Sequence, residues 1–188
     1  MAGLSTIKKP VAQEMRLFDE KFKGHISSRV ALVDQVMRYM VRRKGKQIRP
    51  ILVFLTAKLT GEIKESTFVG ASLIELMHTA TLVHDDVVDD SDMRRGFFSI
   101  NALWKNKIAV LIGDYLLSRC FEIMVDDGDL EILKLLSSTS AKIAQGEVMQ
   151  LEHKGEADLL EETYIDIINL KTAALFSAAT KTGACLAG

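Results

Sequence analysis

Ala71-Ser-Leu-Ile-Glu-Leu-Met-His-Thr-Ala-Thr-Leu-Val83 leads without a glycine or proline into His84-Asp85-Asp86-Val-Val-Asp89-Asp90-Ser-Asp92-Met-Arg94-Arg95-Gly96. The first half is largely apolar and lacks sustained alternation, so it reads as a buried helix rather than a strand. Its polar end carries five aspartates within eight residues, with two arginines close behind. On a helix Asp85 and Asp89 project from one face, and Asp86 sits about 100° round the axis. Carboxylates stacked in this way repel one another unless a cation is shared between them. Acids at a helix C-terminus also oppose the helix dipole, a cost that bound metal would offset. Oxygen-only ligands favour Mg²⁺, which keeps several waters and takes one or two carboxylates plus substrate phosphates. The run therefore points to a site for a Mg²⁺-bound, phosphorylated substrate. A solvated acidic helix end accounts equally well for Asp90 and Asp92.

The same reading extends to the rest of the 188 residues, enough for one domain with a real core over 1–188. Hydrophobic residues make up 48% of the chain, and its two prolines, Pro10 and Pro50, both suit helix starts. An all-α multi-helix bundle follows. Helices are expected at roughly 10–24, 28–43, 50–60, 65–91, 99–125, 129–153 and 160–186, punctuated by Gly61, Gly96, Gly128 and Gly155. Cys120 and Cys185 have neither metal nor redox spacing. No secretory h-region or apolar span of about 20 residues is evident, which points to the cytoplasm and at most peripheral membrane contact. Residues 1–50 hold 12 Lys and Arg against 4 Asp and Glu, and the remainder 12 against 21. The basic residues cluster between Arg38 and Arg49 instead of running along a face, and few aromatics interleave them. Nucleic acid is not an expected partner.

That cluster contains Gly45-Lys46-Gln-Ile-Arg49-Pro50. Gly45 suits the end of one helix and Pro50 the first turn of the next, placing Lys46 and Arg49 at a connection into a helix N-terminus. Cations there make a good anion site, although alone the pattern is equally a basic surface turn. Taken in order, Gly45 to Pro50, Glu75-Leu-Met-His78, Asp85-Asp86-Val-Val-Asp89, Arg94-Arg95-Gly96, Gly113-Asp114 and Lys171-Thr172 resemble the all-trans isoprenyl (polyprenyl) diphosphate synthases. The resemblance spans essentially the whole chain, and its surroundings are most like the octaprenyl-type, long-chain members.

The resemblance implies the isoprenoid synthase fold, a homodimer formed through the 99–125 helix, and a prenyl transfer. An allylic prenyl diphosphate would condense with isopentenyl diphosphate. Asp85 and Asp89 would be the main Mg²⁺ ligands, with Asp86 supporting them directly or through water. Arg94, Lys171 and Thr172 would meet the allylic diphosphate, Lys171 neutralising the leaving group. Lys46, Arg49, His78 and Arg95 would bind isopentenyl diphosphate. Without the resemblance, His78 would be a satisfied core histidine and Lys171 a surface lysine. The growing chain would run along the helix before Asp85, past Thr81, Ala80, Met77 and Ile74. Ala80 and Thr81 are small, so the tunnel is expected to be open, and Ala80→Phe is expected to shorten the product.

The family's second aspartate-rich motif, which supplies the remaining metal ligands downstream of Lys171-Thr172, does not occur in these residues. Asp126-Asp127-Gly128-Asp129 reads as an interhelical turn, and Asp158, Glu161 and Glu162 as a charged first helical turn. The chain therefore reads as the N-terminal part of a longer enzyme, inactive alone. A class I terpene cyclase and a non-catalytic subunit of a heteromeric synthase remain alternatives. The basic turn counts against the cyclase, which has no isopentenyl diphosphate to hold.

Overall fold

The apolar run becomes helix α5 (Glu65–Val88). The structure is a computed structural model that describes residues 3–43, 45–94, 96–155 and 158–188. The Lys64 N–H donates to the Thr67 hydroxyl at 3.1 Å and so sets the start of α5. Leu73, Ile74, Leu76 and Met77 are each 1% exposed or less, so α5 is buried on most of its circumference. Each such side chain contributes about 1.5–3 kcal/mol through removal from water. By length and composition α5 would also pass for a membrane span, contrary to the sequence expectation, but 61% of its most apolar window is buried inside the fold.

Around it lie α1 (Leu4–Lys8), a 3₁₀ turn at Lys9–Val11, α2 (Ala12–Ile26), α3 (Ala31–Arg42) and α4 (Ile48–Thr60). Pro10 falls in the 3₁₀ turn and Pro50 in the first turn of α4, both at helix starts as expected. α6 (Ile100–Asp127) packs along α5, and α7 (Leu130–Glu152) follows a tight turn. In that turn Gly128 takes the left-handed conformation at φ 74°, and the Asp129 carboxylate accepts the Glu131 and Ile132 N–H groups at 2.9 and 3.0 Å. The 126–129 cluster is thus a helix connection, as its glycine suggested. α8 (Glu161–Ile168) opens with two glutamates in its first turn. α9 (Ala174–Ala187) closes against α4 and α5. A Cβ on Gly183 would strike the Val53 carbonyl and the Thr56 hydroxyl, so this glycine permits the α4–α9 contact.

Three features depart from the helix pattern expected of the sequence. A two-stranded antiparallel ribbon, β1 (Met93–Arg94) with β2 (Phe97–Phe98), follows α5, with Met93 opposite Phe98 and Arg94 opposite Phe97. The helix expected over 99–125 is interrupted at Lys105, whose φ of 70° and ψ of 159° are not helical. The helix expected over 160–186 is split by a π-helical turn, Asn169–Ala173, which carries Lys171 and Thr172. α5 itself ends at Val88, leaving Asp89 as its C-cap.

Candidate active site

Where α5 ends, its three acidic residues part company. Asp86 is 3% exposed, and Arg94 holds it, donating from Nε at 2.7 Å and from Nη2 at 2.6 Å to the same oxygen, Oδ1. The return of the chain explains this pairing. The Asp89 N–H closes on the Asp85 carbonyl at 2.8 Å, Asp90 turns with φ 49°, and the Ser91 N–H reaches the Asp86 carbonyl at 2.9 Å. β1 is thereby brought back beside the helix it has just left.

Asp85 is half-buried, and its pKa is pushed up to about 6. Loss of hydration is the largest cause, and the Glu147 carboxylate adds to it, whereas Lys171 and Arg94 pull the other way. Asp89 stands exposed beside it. Lys171 donates to Glu147 at 2.7 Å across the gap between the π turn and α7. Gly146 allows that approach, because a Cβ there would lie 2.8 Å from the Lys171 backbone nitrogen and 2.9 Å from the Leu170 Cβ. Thr172 is exposed on the same turn. A π turn re-aims the residues it carries, and such turns are frequent at functional sites.

The basic half of the site also assembles. Lys46, Arg49 and His78 line one surface pocket together with Gln47 and Glu75. Gln47 adopts the left-handed conformation at φ 52°, is 7% exposed, and donates from Nε2 to Asp19 Oδ1 at 3.0 Å, pinning the start of α4 to α2. The Arg49 guanidinium lies 4.5 Å over the Phe176 ring of α9. Arg95, expected in this group, lies outside the described residues. A second cavity, of about 130 Å³, runs from Gly45 and His78 to Asp86 and Arg94, and so connects the basic turn with the aspartate end of α5.

The four positions expected to set product length fall in two environments. Ile74, Met77 and Ala80 are 2% exposed or less and belong to the core, whereas Thr81 is half-buried and donates to the His78 carbonyl at 2.9 Å. None of the four lines the cavity between the half-sites. The Gly113-Asp114 pair has a packing role, since the His84 ring rests on Gly113 with Nε2 3.3 Å from Asp114 Oδ1. Among the described residues no cluster of three or more His, Cys, Asp and Glu side chains forms a ready metal site. Of the three expected ligands, Asp85 and Asp89 stand outside the Arg94 pair. Glu147 and Phe176 escaped sequence reasoning. Each comes from a different helix, and no spacing within the chain links them to Asp85 or Arg49.

A central aspartate-ended helix, opposed by a lysine on a π turn and flanked by a basic turn, defines a helical protein of the isoprenoid synthase class. Comparison with known proteins makes this specific. Residues 30–188 match the sequence model of the family described as Polyprenyl synthetase. An all-trans-nonaprenyl-diphosphate synthase (geranyl-diphosphate specific) from Rhodobacter capsulatus is 45% identical over 181 residues, 95% of this chain and 55% of its own. Octaprenyl diphosphate synthase from Escherichia coli is 41% identical over 186 residues, 99% of this chain and 58% of its own. Among solved structures, a polyprenyl synthase from Caulobacter crescentus complexed with calcium and isoprenyl diphosphate superposes with a TM-score of 0.94. It is 34% identical, and the match covers 99% of this chain and 57% of that one. The chain belongs to the polyprenyl synthetase family, and it spans little more than half the length of these relatives.

Proposed function

We propose that the whole protein is a Mg²⁺-dependent prenyltransferase that condenses an allylic diphosphate with isopentenyl diphosphate to build a long, octaprenyl-like all-trans chain. One observation carries the reading: the pocket lined by Lys46, Arg49 and His78 shares His78 with a cavity that reaches Asp86 and Arg94, which supports two diphosphate sites side by side. A cyclase needs only one of them. Lys46, Arg49 and His78, with Arg95, would hold isopentenyl diphosphate without metal. Arg94, Lys171 and Thr172 would hold the allylic diphosphate beside Asp85 and Asp89.

The donor set at the end of α5 fits Mg²⁺. It offers oxygen only, and a bound cation would offset both the lost hydration and the neighbouring Glu147 charge that raise the pKa of Asp85. Asp85 and Asp89 would hold the ion, while Asp86 holds Arg94. When bound, Mg²⁺ would supply positive charge against the departing diphosphate. The chain's own cations do the rest. Breaking the allylic C–O bond leaves its electron pair on diphosphate, where Arg94 and Lys171 stabilise the developing charge. The isopentenyl double bond attacks the allylic cation, a C–C bond forms, and loss of a proton restores an alkene. No protein nucleophile is required.

The exposed face of α6 supports a homodimer. Val110, Leu111, Phe121 and Val125 are 40%, 61%, 46% and 68% exposed and fall within roughly 100° of one helix face. The reading places the protein in the cytoplasm, where Cys120 and Cys185 stay reduced. Product length would be set along α5 at Ile74, Met77, Ala80 and Thr81, of which the first three are packed in the core of this chain.

The test supplies Mg²⁺, farnesyl diphosphate and labelled isopentenyl diphosphate to this chain and to one extended to the length of its relatives. Extended prenyl products from the longer chain alone are expected, because the 188 residues carry only one aspartate-rich motif. Absence of product from both would overturn the assignment.

A further inference from the structure

The β1–β2 ribbon has only two residue pairs, too few to hold a fixed position by backbone pairing alone. Yet it carries Arg94, which lines the same cavity as Gly45, where the basic turn that leads to Lys46 and Arg49 begins. Asp86 ties down one strand. On the other strand, the Tyr39 hydroxyl of α3 donates to the Phe98 carbonyl at 2.7 Å. The Tyr39 ring is itself braced edge-on by Trp104 of α6, with centroids 5.3 Å apart at 74°. The guanidinium of Arg43, at the end of α3, lies 3.7 Å over the Phe97 ring and 4.7 Å over the Tyr39 ring. Arg43 is also the residue from which the chain enters the basic turn, two positions before Gly45. All four residues, Tyr39, Arg43, Phe97 and Phe98, line the cavity that joins the half-sites.

We propose that Tyr39, Arg43, Phe97 and Phe98 form a clasp that locks the arginine ribbon to the basic turn, and that they are positioning residues for isopentenyl diphosphate. The inference rests on the reading of Lys46, Arg49 and His78 as the site for that substrate. A guanidinium over an aromatic face is attractive yet needs a flat ring, so the clasp predicts dependence on aromaticity rather than on bulk. Phe97 is 47% exposed, and replacing it removes nothing from the core.

The deciding experiment measures isopentenyl diphosphate binding to the full 188-residue chain by calorimetry without metal, with amide hydrogen exchange of residues 93–98 followed in parallel. Phe97→Leu is expected to weaken binding about fivefold, and Phe97→Trp to restore it, because only the second keeps the stack. Tyr39→Phe, which keeps the ring against Trp104 and loses only the hydroxyl, is expected to speed exchange across the ribbon and to weaken binding. Unchanged affinity in both Phe97→Leu and Tyr39→Phe, with the unaltered chain binding normally, would overturn the clasp alone. Failure of the unaltered chain to bind would overturn the substrate reading, and the clasp's role with it.

Discussion

Lys105 and Asp85 show how single residues carry cost in this protein. At φ 70° and ψ 159°, Lys105 occupies a region that is almost exclusively glycine's, and such a residue costs roughly 1–3 kcal/mol. Lys105→Gly is therefore expected to stabilise the chain by about 1 kcal/mol, after allowing for the greater freedom glycine has when unfolded, measured by urea denaturation. Asp85 is costly through charge. Its pKa rises from 3.8 to about 6 on folding, so the folded chain keeps a proton that the unfolded chain releases. That contribution favours the folded state below pH 3.8 and is lost as pH climbs through about 6. Asp85→Asn should thus raise the metal-free melting point at neutral pH, by an amount equivalent to about 1 kcal/mol once partial exposure is allowed for. It should also abolish any rise in melting point on adding Mg²⁺ with diphosphate. A variant that still responds to Mg²⁺ would remove Asp85 from the ligand set.

Among the elements, the close approach of α9 to α4 depends on Gly183. A methyl group there meets the Val53 carbonyl, which cannot rotate away as a side chain could. Gly183→Ala is expected to destabilise the chain by about 2–3 kcal/mol in thermal or denaturant unfolding, the usual cost of overpacking a close helix contact. The contrast between α5 and the segments around it shows what periodicity encodes. α5 was legible because it stays largely apolar, without a proline, over many turns. The π turn at Asn169–Ala173 adds a single residue to a helical cycle, too small a phase shift to be visible in a short polar-apolar pattern. The ribbon strands are two residues each, below the length at which alternation can be recognised. The break at Lys105 gave no signal because lysine sits where glycine would have announced it. The site was legible in part for a related reason. Its aspartates, basic turn and lysine lie in compact local patterns, whereas Glu147, Phe176 and Tyr39 join it through contacts between distant segments, which spacing does not record.

For the molecule as a whole, the α6 stripe is the largest consequence of how the helices are apportioned. α5 and α9 spend their apolar residues on the interior, whereas α6 keeps Leu111 and Val125 more than 60% exposed. A stripe of this kind costs solubility unless something covers it. Leu111→Glu is expected to shift the chain from dimer to monomer in size-exclusion chromatography with light scattering, without loss of helix content. A monomer in the unaltered chain would dismiss this face as the dimer contact.

The two ion pairs at the end of α5 bear on more than geometry. Arg94 rests on Asp86 and Lys171 on Glu147, so both cations proposed to meet a diphosphate are paired with a carboxylate beforehand. A diphosphate that draws them away leaves two carboxylates uncompensated, and a divalent cation is the natural replacement. Anion and cation then raise each other's affinity by the same factor, since coupling between two ligands is reciprocal. If Mg²⁺ and diphosphate bind as proposed, each would tighten the other, and the site would answer to the metal–diphosphate complex more strongly than to either component.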